Sequence, residues 1–172
     1  MEKHLITVLV ANKSGVLTRV SGLFARRGYN IDSLVVCGTE DKNLSRMSIV
    51  VTADDTIVKQ IVKQLDKLPD VKKIAELDTD DSVLRELLLI KIKVSPAQRP
   101  EIESTCNIYK AKIIDLSPES MVIELTGESS KLDAFENLAE SYGIIELART
   151  GLVALHRGKE SINDYEDYND EV

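Results

Sequence analysis

The sequence predicts an α+β protein made of two tandem βαββαβ domains. The same order of strand-like and helical segments occurs twice along the 172 residues. The main helical segments carry a single apolar stripe, so their helices should pack on one face of an antiparallel sheet. A short acidic stretch at residues 78–82 contains no apolar residue and separates the two halves. Together these observations indicate a ferredoxin-like fold in each half.

The first half reads as strand, helix, hairpin, helix, strand. Its strands are β-prone apolar runs, and its helices have apolar residues at helical spacing. Asp54 or Asp55 can cap the second helix, and Pro69 ends it. The predicted strands are residues 4–10, 30–37, 44–52 and 71–77. The predicted helical stripes are Val16, Leu17, Val20, Leu23 and Phe24, then Ile57, Val58, Ile61, Val62, Leu65 and Leu68.

The second half repeats this order. Pro96 and Pro100 bracket the start of its first helix, Ser129 or Ser130 can cap the next helix, and Gly143 can end it. The predicted strands are residues 83–94, 112–116, 121–126, 144–148 and 151–155. We therefore expect one domain over residues 1–78, a second over residues 83–158, and an acidic tail over residues 159–172 that is mobile or loosely docked.

Residues 12–17, between the first strand and the first helix, suggest a pocket for a small zwitterion. The first N–H groups of a helix lack intrahelical partners, so a carboxylate could bind there, with Gly15 allowing close approach. Asn12 and Asn30 would supply side-chain donors and acceptors. The alternative is a tight turn in which Ser14 is the N-cap. The corresponding segment, residues 95–100, has two prolines and no glycine, so only the first half could hold this pocket.

Composition disfavours several functional classes. A net charge of −7 without a basic cluster argues against nucleic acid as a partner. No apolar run approaches 18 residues and no secretory leader is recognisable, so we expect a cytoplasmic protein without a membrane span. The sequence contains no recognisable catalytic constellation, cofactor fingerprint or metal-ligand spacing. A stand-alone RNA- or metabolite-binding module of ferredoxin-like fold is the alternative function that stays open.

A set of motifs runs through both halves of the chain, including residues 12–20 (NKSGVLTRV), 22–24 (GLF), 27–31 (RGYNI), 44–47 (LSRM), 113–115 (IID) and 131–135 (KLDAF). Together these motifs closely resemble the small regulatory subunits of acetolactate synthase (acetohydroxyacid synthase), an ACT-domain family. The resemblance covers nearly the whole chain up to Gly158.

This resemblance implies an N-terminal ACT domain that forms a homodimer and binds a branched-chain amino acid, commonly valine, at the dimer interface. A C-terminal ACT-like domain would follow. The family's effector contacts map onto Asn12, Gly15, Val16, Leu17, Asn30 and Ile31. In such a dimer the apolar first strand could pair with its symmetry mate, leaving no open sheet edge.

The resemblance also implies a partner. Subunits of this family bind and activate a thiamine-diphosphate-dependent catalytic subunit and confer feedback inhibition on branched-chain amino-acid biosynthesis. Thiamine diphosphate, Mg²⁺ and FAD are expected in that catalytic subunit, and no cofactor is expected in this chain. The chain itself is then a regulatory subunit without catalytic or metal-binding residues.

Overall fold

The computed structural model describes residues 2–165 in two compact units. The first unit comprises residues 2–83 together with residues 152–165, and the second comprises residues 84–151. Residues 166–172, the end of the acidic tail with Tyr168, lie outside the described residues.

The first unit contains a four-stranded antiparallel sheet with the strand order β2-β3-β1-β4. The two helices connect strands as predicted, which confirms the βαββαβ order. The elements are β1 (Glu2–Ala11), α1 (Val16–Arg27), β2 (Ser33–Gly38), β3 (Leu44–Ala53), α2 (Asp55–Asp66) and β4 (Val71–Leu77).

The core of this unit lies between the sheet and its helices. Ile6 and Val8 of the central strand are fully buried there against Phe24 of α1 and Ile61 and Leu65 of α2. Burial of each such side chain stabilises the fold by about 1.5–3 kcal/mol relative to exposure. The buried residues of α1 and α2 belong to the helical stripes that the sequence predicts. Leu17 is the exception, because it was predicted in the stripe of α1 and is exposed in the structure.

The position of β1 contradicts one expectation. β3 pairs along one edge of β1 and β4 along the other, so β1 has no free edge with which to pair with a symmetry mate. That prediction is wrong. The edge strands of this sheet are β2 and β4.

The second unit repeats the architecture with the strand order β6-β7-β5-β8, and β9 pairs with β5 outside this order. Its core includes Ile90, Ile123 and Phe135. Its elements are β5 (Ser82–Lys93), α3 (Arg99–Tyr109), β6 (Lys112–Leu116), β7 (Ser120–Gly127), α4 (Ser129–Glu140) and β8 (Ile144–Arg149). The strand β9 (Val153–His156) lies among the residues of the first unit.

The start of α4 differs from the sequence prediction. Glu128, not Ser129 or Ser130, is the N-cap residue, and its side chain makes no capping hydrogen bond. The Ser129 hydroxyl instead donates to Glu86, whose other carboxylate oxygen accepts from Nε of Arg149 at 2.6 Å. Ser129 therefore joins an ion-pair network between β5, α4 and β8.

The last described residues of the chain, which follow β9, pack against the rest of the first unit. Ser161 caps a 3₁₀ helix, Ile162–Asp164, which contacts β4. Ile162 is 5% exposed, and Nζ of Lys73 donates to the carbonyl oxygen of Tyr165 at 2.9 Å. The buried Ile162 side chain and the Lys73 hydrogen bond both hold this part of the predicted tail.

Candidate functional site

The N-terminus of α1 is shaped by Gly15. Gly15 is the N-cap residue, with φ +84° and ψ −8°, and no side chain caps the helix. Ser14 is therefore not the N-cap, contrary to the tight-turn alternative. A left-handed conformation strains residues that have a Cβ, so glycine is the residue that this turn requires.

The first N–H groups of α1 are only partly used. The N–H of Val16 donates to the carbonyl oxygen of Lys13 at 3.4 Å. Within residues 2–165, the N–H groups of Gly15, Leu17 and Thr18 have no hydrogen-bond partner. Val16 is buried, whereas Leu17 has 44% of its surface exposed. The helix thus presents free donors beside an exposed aliphatic side chain, which suits a carboxylate with an apolar neighbour.

Asn12 is anchored to the β2–β3 hairpin. Its N–H donates to the carbonyl oxygen of Asn43 at 2.7 Å, and its side-chain Nδ2 donates to that of Lys42 at 3.1 Å. Because both partners are carbonyl oxygens, Oδ1 of Asn12 is left as an acceptor. Such an acceptor suits an ammonium group.

Asn30 is held in a second small network beyond the other end of α1. Its Nδ2 donates to Oδ1 of Asp32 at 2.6 Å, which again leaves Oδ1 of Asn30 as an acceptor. The other oxygen of Asp32 accepts from the Thr52 hydroxyl at 2.6 Å. This hydroxyl is the main reason why the pKa of Asp32 lies below 3.8, with burial opposing it and Asn30 and Lys3 adding to it. Ile31, next in sequence, is half-buried against the core.

Replacing Thr52 tests this network. Thr52→Val is expected to raise the pKa of Asp32 towards 3.8, because the variant removes the hydroxyl that donates to the ionised carboxylate. A lowered folded pKa contributes stability that is present above the unfolded value and lost as the pH falls through the folded value. The variant should therefore be less stable than the wild type at pH values above the ordinary aspartate pKa, and the difference should vanish as the pH falls through the lowered pKa of Asp32.

The measurement is an NMR titration of the Asp32 carboxyl carbon, together with denaturant unfolding across the same pH range. Thr52→Ser keeps the hydroxyl and should keep the lowered pKa. An unshifted pKa in Thr52→Val would show that another group holds the carboxylate.

The six predicted site residues are not all brought together within one chain. Helix α1 has 12 residues and is therefore about 18 Å long. Gly15 precedes this helix, whereas Asn30 follows it. The sheet separates the same two groups, because Ala11 lies opposite Leu44 while the N–H of Asp32 donates to Val50, six residues further along β3. Residues 12–17 form one part of the site, and residues 30–31 form another at the opposite end.

Arg19 and Asp70 lie beside the first part and were not among the predicted site residues. Nη1 of Arg19 is 3.3 Å from the point where a Cβ on Gly15 would lie, and its Nε donates to Oδ2 of Asp70 at 2.7 Å. Residues four apart on a helix share a face, so the spacing from Gly15 to Arg19 was the signal in the sequence.

Metal binding and membrane insertion can each be judged from the described residues. Within residues 2–165, no three His, Cys, Asp or Glu side chains are grouped so that they could hold a metal ion. None of the helices in that part of the chain is long and apolar enough to cross a membrane.

Two ferredoxin-like units in tandem, the first with a glycine-capped helix N-terminus, define a protein of the tandem ACT type. Residues 6–73 match the family model described as AHAS small subunit-like ACT domain, and residues 85–158 match the one described as small subunit of acetolactate synthase. The chain therefore belongs to the acetolactate synthase small-subunit family, and it is a regulatory subunit.

Individual relatives agree with this assignment. The probable acetolactate synthase small subunit of Archaeoglobus fulgidus is 54% identical over 91% of this chain and 98% of its own length. The small subunit of Mycobacterium bovis is 49% identical over 92% of this chain and 95% of its own. The crystal structure of the Thermotoga maritima small subunit superimposes with a TM-score of 0.87, at 42% identity, over 93% of this chain and 100% of that one.

Proposed function

We propose that this regulatory subunit binds a branched-chain amino acid, foremost valine, between the first domains of two copies of the chain. The domain of residues 1–78 would carry the effector site. Effector binding would lower the activity of an acetolactate synthase catalytic subunit, so that a product of branched-chain amino-acid biosynthesis inhibits that subunit. The observation that carries this proposal is the separation of the site residues to opposite ends of α1.

An edge strand offers a way to reunite the two parts. β2 begins just after Ile31 and ends at Gly38, which lies opposite Ser45 of β3, at the end of the sheet where Asn12 is found. β2 is an edge strand, and its last three residues are exposed, with Val36 at 41%. An unpaired edge is a natural site for strand pairing.

Two-fold symmetry would bring the two parts of the site together. If two β2 strands pair in antiparallel fashion, the start of one strand lies beside the end of the other. Asn30 and Ile31 of one copy then approach Asn12, Gly15 and Leu17 of the other. This pairing takes the role that the sequence analysis gave to β1.

The groups collected in this way fit an α-amino acid with an aliphatic side chain. The free N–H groups at the start of α1 suit its carboxylate. The Oδ1 acceptors of Asn12 and Asn30 suit its ammonium group. Leu17 and Ile31, together with the edge of Val16, supply an apolar surface for a branched side chain.

Regulation requires that the effector bind one arrangement of the dimer better than another, because a ligand shifts an equilibrium only by its differential affinity. The relatives are named as small subunits, which supports a catalytic partner for this chain. Thiamine diphosphate, Mg²⁺ and FAD would belong to that partner. The assembly would act in the cytoplasm.

A thermal-unfolding titration of the full chain with L-valine, L-leucine and L-isoleucine tests the binding step. An effector at about 100 times its Kd should stabilise the folded state by roughly 2.7 kcal/mol. D-Valine is the matched control, because it carries the same groups in the wrong geometry. No stabilisation by any of the three L-amino acids would overturn the proposed site, and reconstitution with the catalytic subunit then tests inhibition.

A further inference from the structure

We propose that Arg19 is a further effector-binding residue, and that Asp70 occupies its guanidinium group while the site is empty. The effector carboxylate and the Asp70 carboxylate would then compete for one cation. This inference rests on the proposed function, because it assigns an additional contact and a switching step to the same site.

The guanidinium group of Arg19 lies beside Gly15. Nη1 of Arg19 lies 3.3 Å from the point that a Cβ on Gly15 would occupy. No side chain stands there, so the cation borders the open space next to the helix N-terminus. An anion bound at that N-terminus would lie within reach of it.

The guanidinium group of Arg19 is paired with the Asp70 carboxylate. Nε donates to Oδ2 of Asp70 at 2.7 Å, and Nη2 also approaches that oxygen, so one carboxylate holds the fork. The Arg19 side chain is 46% exposed and that of Asp70 is 18% exposed. A guanidinium group binds carboxylates with its planar pair of N–H donors. A second carboxylate at the helix N-terminus would meet Nη1, the guanidinium nitrogen that faces Gly15, and would compete with Asp70 for the same cation.

Asp70 also connects the loop that begins at Asn12 to the end of α2. Its carbonyl oxygen accepts a hydrogen bond from the N–H of Ala11 at 2.8 Å, directly before Asn12, and it lies between α2 and β4. Release of the Asp70 side chain would thus loosen the turn that holds the beginning of the effector loop. Effector binding at α1 is in this way linked to the end of α2.

Calorimetric titration of two variants tests the competition. Arg19→Met should weaken binding of the stabilising amino acid by about tenfold or more, the usual size of a lost charge-assisted hydrogen bond. Asp70→Asn should strengthen binding severalfold, because it removes the competing charge and keeps the side-chain shape. L-Valinamide, which has no carboxylate, should bind all three proteins with one affinity.

Lys91→Met in the second unit is the matched control, since Lys91 forms an exposed ion pair with Glu146 at 3.6 Å and should leave affinity unchanged. Opposite signs for Arg19→Met and Asp70→Asn support the inference. Equal losses in both variants would overturn it and would mean that the ion pair only holds the loop. Wild-type binding with Arg19→Met unaffected would overturn this inference alone, whereas absence of wild-type binding would overturn the proposed function as well.

Discussion

Gly15→Asp is expected to abolish effector binding, with the affinity falling by about 100-fold or more, because its carboxylate would repel the effector's carboxylate at the helix N-terminus. The new side chain would start 3.3 Å from Nη1 of Arg19 and would attract that cation as well. A left-handed residue with a Cβ costs about 1–2 kcal/mol, so the variant should fold with a lower Tm. Calorimetric titration measures the loss of affinity, with the L-amino acid that stabilises the wild type in the thermal-unfolding titration as the ligand.

Two controls separate charge from strain in this experiment. Gly15→Ala introduces the same Cβ at φ +84° without a carboxylate, and it should keep most of the affinity. Gly158→Asp places the same charge at φ +68°, with nothing within 4 Å of its Cβ, and it should bind normally. If Gly15→Asp bound the effector as the wild type does, residues 12–17 would be a structural turn and not a carboxylate site.

The order of elements could be predicted because it depends on local periodicity. The strand at Val71–Leu77 and the apolar stripe of α1, apart from the exposed Leu17, appear in the structure where the sequence places them. Strand order is a tertiary property, and there the prediction for β1 failed. The run from Leu5 to Ala11 in β1, apolar except for Thr7 and buried throughout, was itself a sign of a strand buried on both faces, which a central position explains.

The predicted cap of α2 is confirmed, because Asp54 is its N-cap residue, whereas the serine caps predicted for α1 and α4 failed. Ser14 and Ser129 have the residue type of an N-cap, but whether such a residue caps a helix also depends on the local backbone conformation and on other partners for its hydroxyl. Gly15 adopts the capping conformation at α1, and Glu86 receives the Ser129 hydroxyl at α4. Neither competitor follows from the local pattern. The contact between Arg19 and Asp70 joins residues 51 apart and was equally hidden.

The candidate site shows what a sequence motif can identify and what it cannot. A motif can name Asn12, Gly15 and Asn30 together, yet it does not say whether one chain can assemble them. The 12 residues of α1 keep them at opposite ends of a helix. A site that uses all of them would take residues from two copies, so under our proposal subunit pairing would be part of effector binding, and the effector would influence how the two copies pair.

Complementation between two inactive variants is therefore expected to restore binding. Gly15→Asp blocks the carboxylate end, and Asn30→Lys would repel the effector's ammonium group, so each homodimer should bind nothing. In a heterodimer purified through two different tags, one site combines the intact Gly15 of one copy with the intact Asn30 of the other. Calorimetry should then find about one ligand per heterodimer at wild-type affinity, against about two for the wild type. A heterodimer that binds no effector would place both ends of the site in a single chain, because each chain would then always carry one of the two lesions.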